Sequence, residues 1–308
     1  MELPLTLTSP LTQRVNAAKL QEKIATAPIV AAYSDQFKYE TGSYFQGFPE
    51  IGLYRCEDTD FRFYYPFSLV GKESLYHALE KFPWNYKEDK WEHDAALHHI
   101  SAGCKVLDVG CGRADFLLKA KTRLAASVTG IELNQSAAEF GRARGIDVRT
   151  DSLADHARTN RDIYDVVTSF QVLEHVVDPR AFVEACVEVL KPGGLLVYGV
   201  PNDDGFLRLD KDAVLNGPPH HMGLWNRRSL TALGSIFPLS IRSFDVEPLS
   251  ELDWYQAVIE KVYIPKEWQR KIYYKLGGSK VVRKFLIENS HTIAGHTIMV
   301  VYLKAPKP

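Results

Sequence analysis

From Lys105 onward, short apolar runs alternate with amphipathic stretches. The runs Lys105–Val109, Val128–Ile131, Asp147–Arg149, Tyr164–Ser169 and Leu195–Val200 are strand-sized. Helical spacing of apolar residues lies between them, at Asp115–Leu124, Gln135–Arg144 and Pro179–Leu190. Near-continuous apolar strands separated by helices predict βαβ units and a parallel sheet covered on both faces. Lys191-Pro192-Gly193-Gly194 is expected to stop the third helix and turn the chain into the next strand. A further helix is expected at Arg228–Ile236, stopped by Pro238, and a strand near Ile241–Val246. Leu249–Ile293 reads as a long connection with a helix of its own, and His296–Lys304 as the last strand.

The first hundred or so residues follow another pattern. Aromatic residues crowd the stretch from Tyr33 to Phe67, and Gly42, Gly47, Pro49, Gly52, Pro66 and Gly71 interrupt it. Short strands and turns are expected there. Helical patterns flank them near Leu11–Ala27, Lys72–Lys81 and Lys90–Ile100. The segment reads either as a lid over a binding crevice or as plain packing and oligomer contact. The division expected is a cap at 1–100 and a main domain at 101–308, with an insertion at about 249–293.

The chain has 308 residues, 45% hydrophobic and 24% charged, which excludes collagen, coiled-coil and disordered classes. Its 37 basic and 38 acidic residues balance to a net charge of −1, so no broad attraction to nucleic acid or anionic lipid is expected. Cys56, Cys104, Cys111 and Cys186 form no CxxC pair. Scattered cysteines, no basic-then-apolar leader and no apolar run near the roughly 20 residues that span a bilayer predict a cytoplasmic protein without a membrane span.

Chemistry concentrates where the first regular strand ends, at Val106-Leu107-Asp108-Val109-Gly110-Cys111-Gly112. Glycines let a backbone bend tightly, and ligands of doubly wound sheets bind beyond the carboxyl ends of the strands. A tight turn with no ligand is the plainer reading of the same residues. The next strand ends in Glu132, placed to accept from both hydroxyls of a ribose. An acid favouring a helix start is the alternative. A dinucleotide fingerprint would put its third glycine at position 115, where this chain has Asp115. An aspartate there disfavours a pyrophosphate and points to a nucleoside without phosphates.

DVGCGRADFL, GIELN, the acid of RTDSL, FQVLEHVVDP and LKPGGLLVYGVPN, in this order, resemble the class I S-adenosylmethionine-dependent methyltransferases, of the branch acting on small molecules and glycans. The likeness covers about Lys105 to Pro201, with Ala114 standing where many members have glycine. It implies a Rossmann-like, seven-stranded, mostly parallel sheet with an antiparallel last strand, plus an N-terminal α+β cap. It also implies S-adenosylmethionine as cofactor. On that resemblance Asp108 orients the glycine loop and the methionine ammonium, and Gly110, Cys111 and Gly112 carry the loop past the cofactor. Glu132 takes the ribose diol beside Leu133. Asp151 accepts from the adenine amino group, Ser152 and Leu153 line the ring, and Gln171 sits near the methionine. Leu53-Tyr54-Arg55-Cys56 and the stretch after it are similar to the zinc-ribbon start of some relatives. Only Cys56 of the cysteine pairs is present, so no zinc is expected there.

Gly217-Pro218-Pro219-His220-His221-Met222-Gly223-Leu224-Trp225 follows the fifth strand, and a proline-stiffened loop with histidines suits an acceptor site. It resembles the Pro-Pro-x-His…aromatic segment of the glycan and natural-product enzymes, with His221 and Trp225 at the matching positions. His221 is read as a general base or as a positioning histidine, and His220 and His175 as further pocket candidates. No metal is expected, because adjacent histidines rarely point at one ion unaided. A hydroxyl acceptor must lose a proton, and histidine, with a free pKa of about 6.5, suits that task. The expected function is O-methylation of a small-molecule or glycan acceptor, with no nucleic-acid partner and a possible homo-oligomer. A non-catalytic cofactor-binding scaffold and an NAD-dependent oxidoreductase are the alternatives.

Overall fold

The computed structural model describes residues 2–82, 89–210 and 212–306. In chain order the front part comprises β1 (Thr6–Leu7), β2 (Ala18–Ala25), α1 (Thr26–Phe37), β3 (Glu50–Cys56), β4 (Arg62–Tyr65), α2 (Glu73–Leu79) and α3 (Trp91–Leu97). The alternating part comprises β5 (Lys105–Val109), α4 (Asp115–Leu124), β6 (Ser127–Ile131), α5 (Gln135–Ala143), β7 (Asp147–Arg149), α6 (Leu153–Thr159), β8 (Tyr164–Phe170), α7 (Pro179–Val189) and β9 (Leu190–Pro201). The chain ends with β10 (Gly223–Leu224), α8 (Arg227–Ile236), β11 (Leu239–Pro248), α9 (Leu252–Tyr263), α10 (Glu267–Lys275), α11 (Gly278–Asn289) and β12 (Ala294–Lys304).

The main sheet has seven strands, as expected, and their order is β11-β12-β9-β8-β5-β6-β7. Pairings from β9 through β7 are parallel, while β12 runs antiparallel to both neighbours, with Ile298 opposite Val200 and Val300 opposite Tyr198. The strand order reverses between β5 and β8, the position where such sheets open a crevice at their carboxyl ends. The central strands are buried on both faces, which is why they read as apolar runs. Gly193, at φ +76°, lies within β9 as assigned, so the turn expected at residues 191–194 is an irregular stretch of that strand, between Leu190 opposite Tyr164 and Leu195 opposite Val166.

The cap is a second sheet, in the order β1-β2-β3-β4-β10. Its fifth strand comes from far along the chain, with Gly223 opposite Phe63 and Leu224 opposite Arg62. Tyr54, Phe63 and Phe61 stack at 5.9 and 5.8 Å, and Phe61 meets Trp225 at 4.3 Å. These rings belong to the same buried cluster as Val200 and Tyr198 of β9, so cap and main sheet share one core. Arg62 of the cap also grips the buried carboxylate of Asp203, just past β9, its Nε donating at 2.8 Å.

Two expectations need correction, and one element is new. The helix expected near Leu11–Ala27 is largely strand: β2 pairs with β1 and β3, and helix begins only at Thr26. The connection over Leu249–Ile293 holds three helices rather than one, around a small core of Phe206, Leu249, Val258 and Leu286. The short helix α6, capped by Ser152, was not expected from the pattern.

Candidate functional site

Two groups of residues gather at the carboxyl ends of the parallel strands. The first is the turn after β5. Gly110, Gly112 and Ala114 all have positive φ, at +74°, +52° and +63°. A side chain at Gly110 would meet Val172 Cγ2 at 2.3 Å, so packing demands glycine there as well as conformation. Ala114 tolerates its left-handed conformation in a fully buried position that a larger residue could not share. Cys111 is also buried, against Gly130, and burial raises its thiol pKa.

Glu132, one residue past β6, ties this turn to its neighbour. Its Oε2 accepts from the Gly112 amide and its Oε1 from the Asn134 amide, both at 2.8 Å. Burial raises its pKa, and these amides pull it back down. The Leu133 amide adds to that pull, and a carboxylate offers about four acceptor positions, so the three amides do not fill it. Beside it Leu133 is 69% exposed and offers an apolar side chain. Asp108, at 3% exposure, accepts from Thr168 Oγ1 at 2.7 Å. Burial lifts its carboxyl to about 7, opposed by that hydroxyl.

The remaining residues named from the sequence divide. Asp151 is exposed, with Oδ2 3.4 Å from Nδ1 of buried His156. His156 is in turn 2.9 Å from the Tyr164 hydroxyl, an anchor the sequence did not reveal because it lies within the unexpected α6. Ser152 caps α6 by accepting from the Asp155 amide, and Leu153 is buried in the main core. Gln171, at φ +56°, donates its amide to Glu92 of α3 at 3.2 Å. Glu92, and the neighbouring His93 packed against Phe116 and Phe170, are buried polar groups that the sequence did not reveal. Asp115 pairs with Arg144, so it is not the free anion assumed in the argument against a pyrophosphate.

This donor set fits an adenosyl sulfonium. The carboxylate of Glu132 has room for a diol, Leu133 presents an apolar face, and Asp108 holds a buried carboxyl suited to an ammonium.

The second group follows β8 and β9. Glu174 and His175 stand in a single 3₁₀ turn after β8. His220 and His221 stand in the loop leading to β10, where both amides donate to the Gly217 carbonyl at 3.1 and 3.0 Å. That turn stacks the two adjacent rings at 4.6 Å with 22° between their planes. The Met222 amide donates to the Glu174 carbonyl at 2.8 Å and stitches the loop to the turn. His175 thereby comes within 4.6 Å of His220 and 4.8 Å of His221, ring centre to ring centre.

Each Nδ1 of the three rings faces an oxygen: His175 the His220 carbonyl at 2.6 Å, His220 the Leu215 carbonyl at 3.1 Å, His221 the Asn216 side chain at 3.2 Å. Burial lowers the pKa of His175 to about 4, against the pull of the His220 and Gln171 carbonyls. It lowers His220 to about 3 with help from His175, and His221 falls well below its usual value for the same reasons. All three imidazoles are neutral at pH 7. Burial pushes Glu174 the other way, up to about 8.

Comparison with known proteins identifies the family. Residues 73–237 match the family described as a methyltransferase domain. A ubiquinone biosynthesis O-methyltransferase of Xanthomonas oryzae is 40% identical over 138 residues, covering 43% of this chain and 54% of the relative. One from Vibrio atlanticus is 34% identical over 140 residues, covering 44% and 56%. The chain thus spans about half the length of the curated relatives it matches. Among solved structures, a chain of the complex containing the Haloferax volcanii Trm112 methyltransferase activator shares the fold, with a TM-score of 0.50 at 17% identity over 76% of this chain and 95% of that one. Over more than half its length, this chain belongs to the methyltransferase-domain family.

Proposed function

We propose that the protein transfers a methyl group from S-adenosylmethionine to a hydroxyl of a small-molecule or glycan acceptor. The observation that carries this reading is the pairing of two sites on one sheet edge. A carboxylate-braced glycine turn follows β5 and β6, and a nest of neutral histidines follows β8 and β9. When bound, the cofactor supplies a methyl already activated on a sulfonium. Asp108 then holds the ammonium end, Glu132 the ribose, and Leu133 with Asp151 the adenine. The histidine nest receives and positions the acceptor hydroxyl. Holding donor and acceptor in line is worth roughly 7–11 kcal/mol at best. The relatives named for O-methylation in ubiquinone biosynthesis support oxygen as the atom methylated.

The test is a screen of phenols, catechols, sugars and sugar nucleotides with methyl-labelled cofactor. The expected result is label on an acceptor oxygen, lost in His221→Ala with cofactor affinity little changed. Label appearing only on nitrogen or carbon would overturn the oxygen assignment. Stabilisation by NADH and none by S-adenosylhomocysteine would overturn the whole reading.

A further inference from the structure

Glu174 is 1% exposed, and neither of its carboxylate oxygens has a hydrogen-bond partner among the described residues. Burying two such oxygens without a partner is costly, and an ion is one remedy. Its Oε1 lies 3.9 Å from Nε2 of His175 and 4.0 Å from Nε2 of His221. The ring nitrogens that His175, His220 and His221 can offer all lie within 4.8 Å of one another. Every Nδ1 in the trio faces an oxygen, and the Nε2 atoms of His175 and His221 lie on the side of the Glu174 carboxylate. Histidine ligands of metals are held in this way, with one nitrogen hydrogen-bonded outward and the other turned on the ion.

We propose that His175, His220 and His221, with the carboxylate of Glu174 beside them, form a divalent-metal site that takes the acceptor's hydroxyl oxygen as a further ligand. The sequence argued against a metal because two adjacent histidines lack a third partner. The fold supplies it: the Gly217 turn aligns the adjacent rings, and the Glu174–Met222 backbone bond brings His175 to them. Three imidazoles and a carboxylate favour a borderline first-row ion such as zinc or cobalt over magnesium or calcium. Bonds of about 2.1 Å around a tetrahedral ion set ligand atoms ~3.4 Å apart. The nest, whose ligand atoms lie within 4.8 Å of one another, is wider than that and has to contract to hold an ion. Three protein nitrogens leave a fourth place for a substrate oxygen, with the Glu174 carboxylate beside the ion rather than bonded to it.

The ion's part is to lower the proton affinity of that oxygen. The O–H bond breaks with its electron pair left on oxygen, and the proton passes to solvent water. The oxygen then attacks the methyl carbon as the carbon–sulfur bond breaks, giving an ether and the neutral thioether. The second half of the inference rests on the O-methylation reading, whereas the ion-binding half stands apart from it.

The experiment uses the full chain stripped with a chelator and titrated with Co²⁺ and Zn²⁺ by calorimetry and visible absorption. One equivalent is expected to bind, with a ligand-field band for cobalt. His175→Ala and His220→Ala should each weaken binding at least 100-fold, and Glu174→Gln at least 10-fold. His291→Ala, on the exposed surface, should change nothing. Circular dichroism shows whether each variant is folded. No binding to the wild-type chain, or equal binding by folded His175→Ala and His220→Ala variants, would overturn the site. Labelled transfer to an acceptor oxygen should fall at least tenfold on chelation and return with zinc. Transfer that proceeds undiminished in the stripped protein would sink the metal's role while leaving O-methylation intact. A metal that binds as expected with no oxygen ever labelled would sink the O-methylation reading and leave the site.

Discussion

The Gly112 amide donates to the Glu132 carboxylate at 2.8 Å, which makes the turn after β5 and the acid after β6 one unit. Removing the acid therefore does two things. Glu132→Ala should weaken S-adenosylhomocysteine binding by roughly 10–100-fold, since hydrogen bonds to a charged group are worth about 1.5–3 kcal/mol each. It should also free the Gly112 amide, seen as faster hydrogen exchange in the turn. Unchanged calorimetric affinity would refute the assignment of Glu132 to the ribose.

Asp108 titrates near neutrality in the free protein, with burial lifting it to about 7. A cationic ligand prefers its charged form. Affinity for S-adenosylhomocysteine should thus drop as pH falls below 7, by up to about tenfold per unit. For stability the sign is opposite. The folded protein keeps a proton that the unfolded chain has lost between about pH 4 and 7, so this group's contribution declines as pH rises through that window. Asp108→Asn should flatten its share of both slopes. A variant with wild-type pH dependence of binding would exclude Asp108 from the ammonium role.

Gly110 should not tolerate a side chain. Gly110→Ala meets Val172 Cγ2 and strains a backbone at φ +74°. A loss of roughly 2–4 kcal/mol is expected from the two effects together. Adding Val172→Ala should restore only the steric part, so denaturant titration of the pair separates packing from conformation.

Arg62→Ala strands the Asp203 carboxylate at 4% exposure. Breaking such a pair from one side costs about 3–5 kcal/mol. Asp203→Asn with Arg62→Met, which removes both charges, should cost much less. Equal unfolding midpoints for Arg62→Ala and the wild type would show that the cap does not depend on this pair.

What the sequence disclosed follows a physical line. The strands β5 to β9 are buried on both faces, so their apolar runs could be read without knowing the partners. The Asp108, Gly112 and Glu132 group lies within one βαβ unit and was legible for the same reason. β2 was misread because Ala18-Lys19-Leu20-Gln21-Glu22-Lys23 consists of good helix formers, and only pairing with β3 makes it a strand. The meeting of His175 with His220 and His221 depends on a loop fold spanning 45 residues, and no local pattern encodes it. The same holds for Arg62 and Asp203, 141 residues apart.

The seam between Phe63 and Gly223 has an evolutionary consequence. The strand that carries the double-histidine loop also completes the cap, so neither can be exchanged alone. A chimaera that imports only the front segment of another family member would bring a strand edge without its register mate. Acceptor preference in this lineage should therefore be inherited as a matched pair of segments.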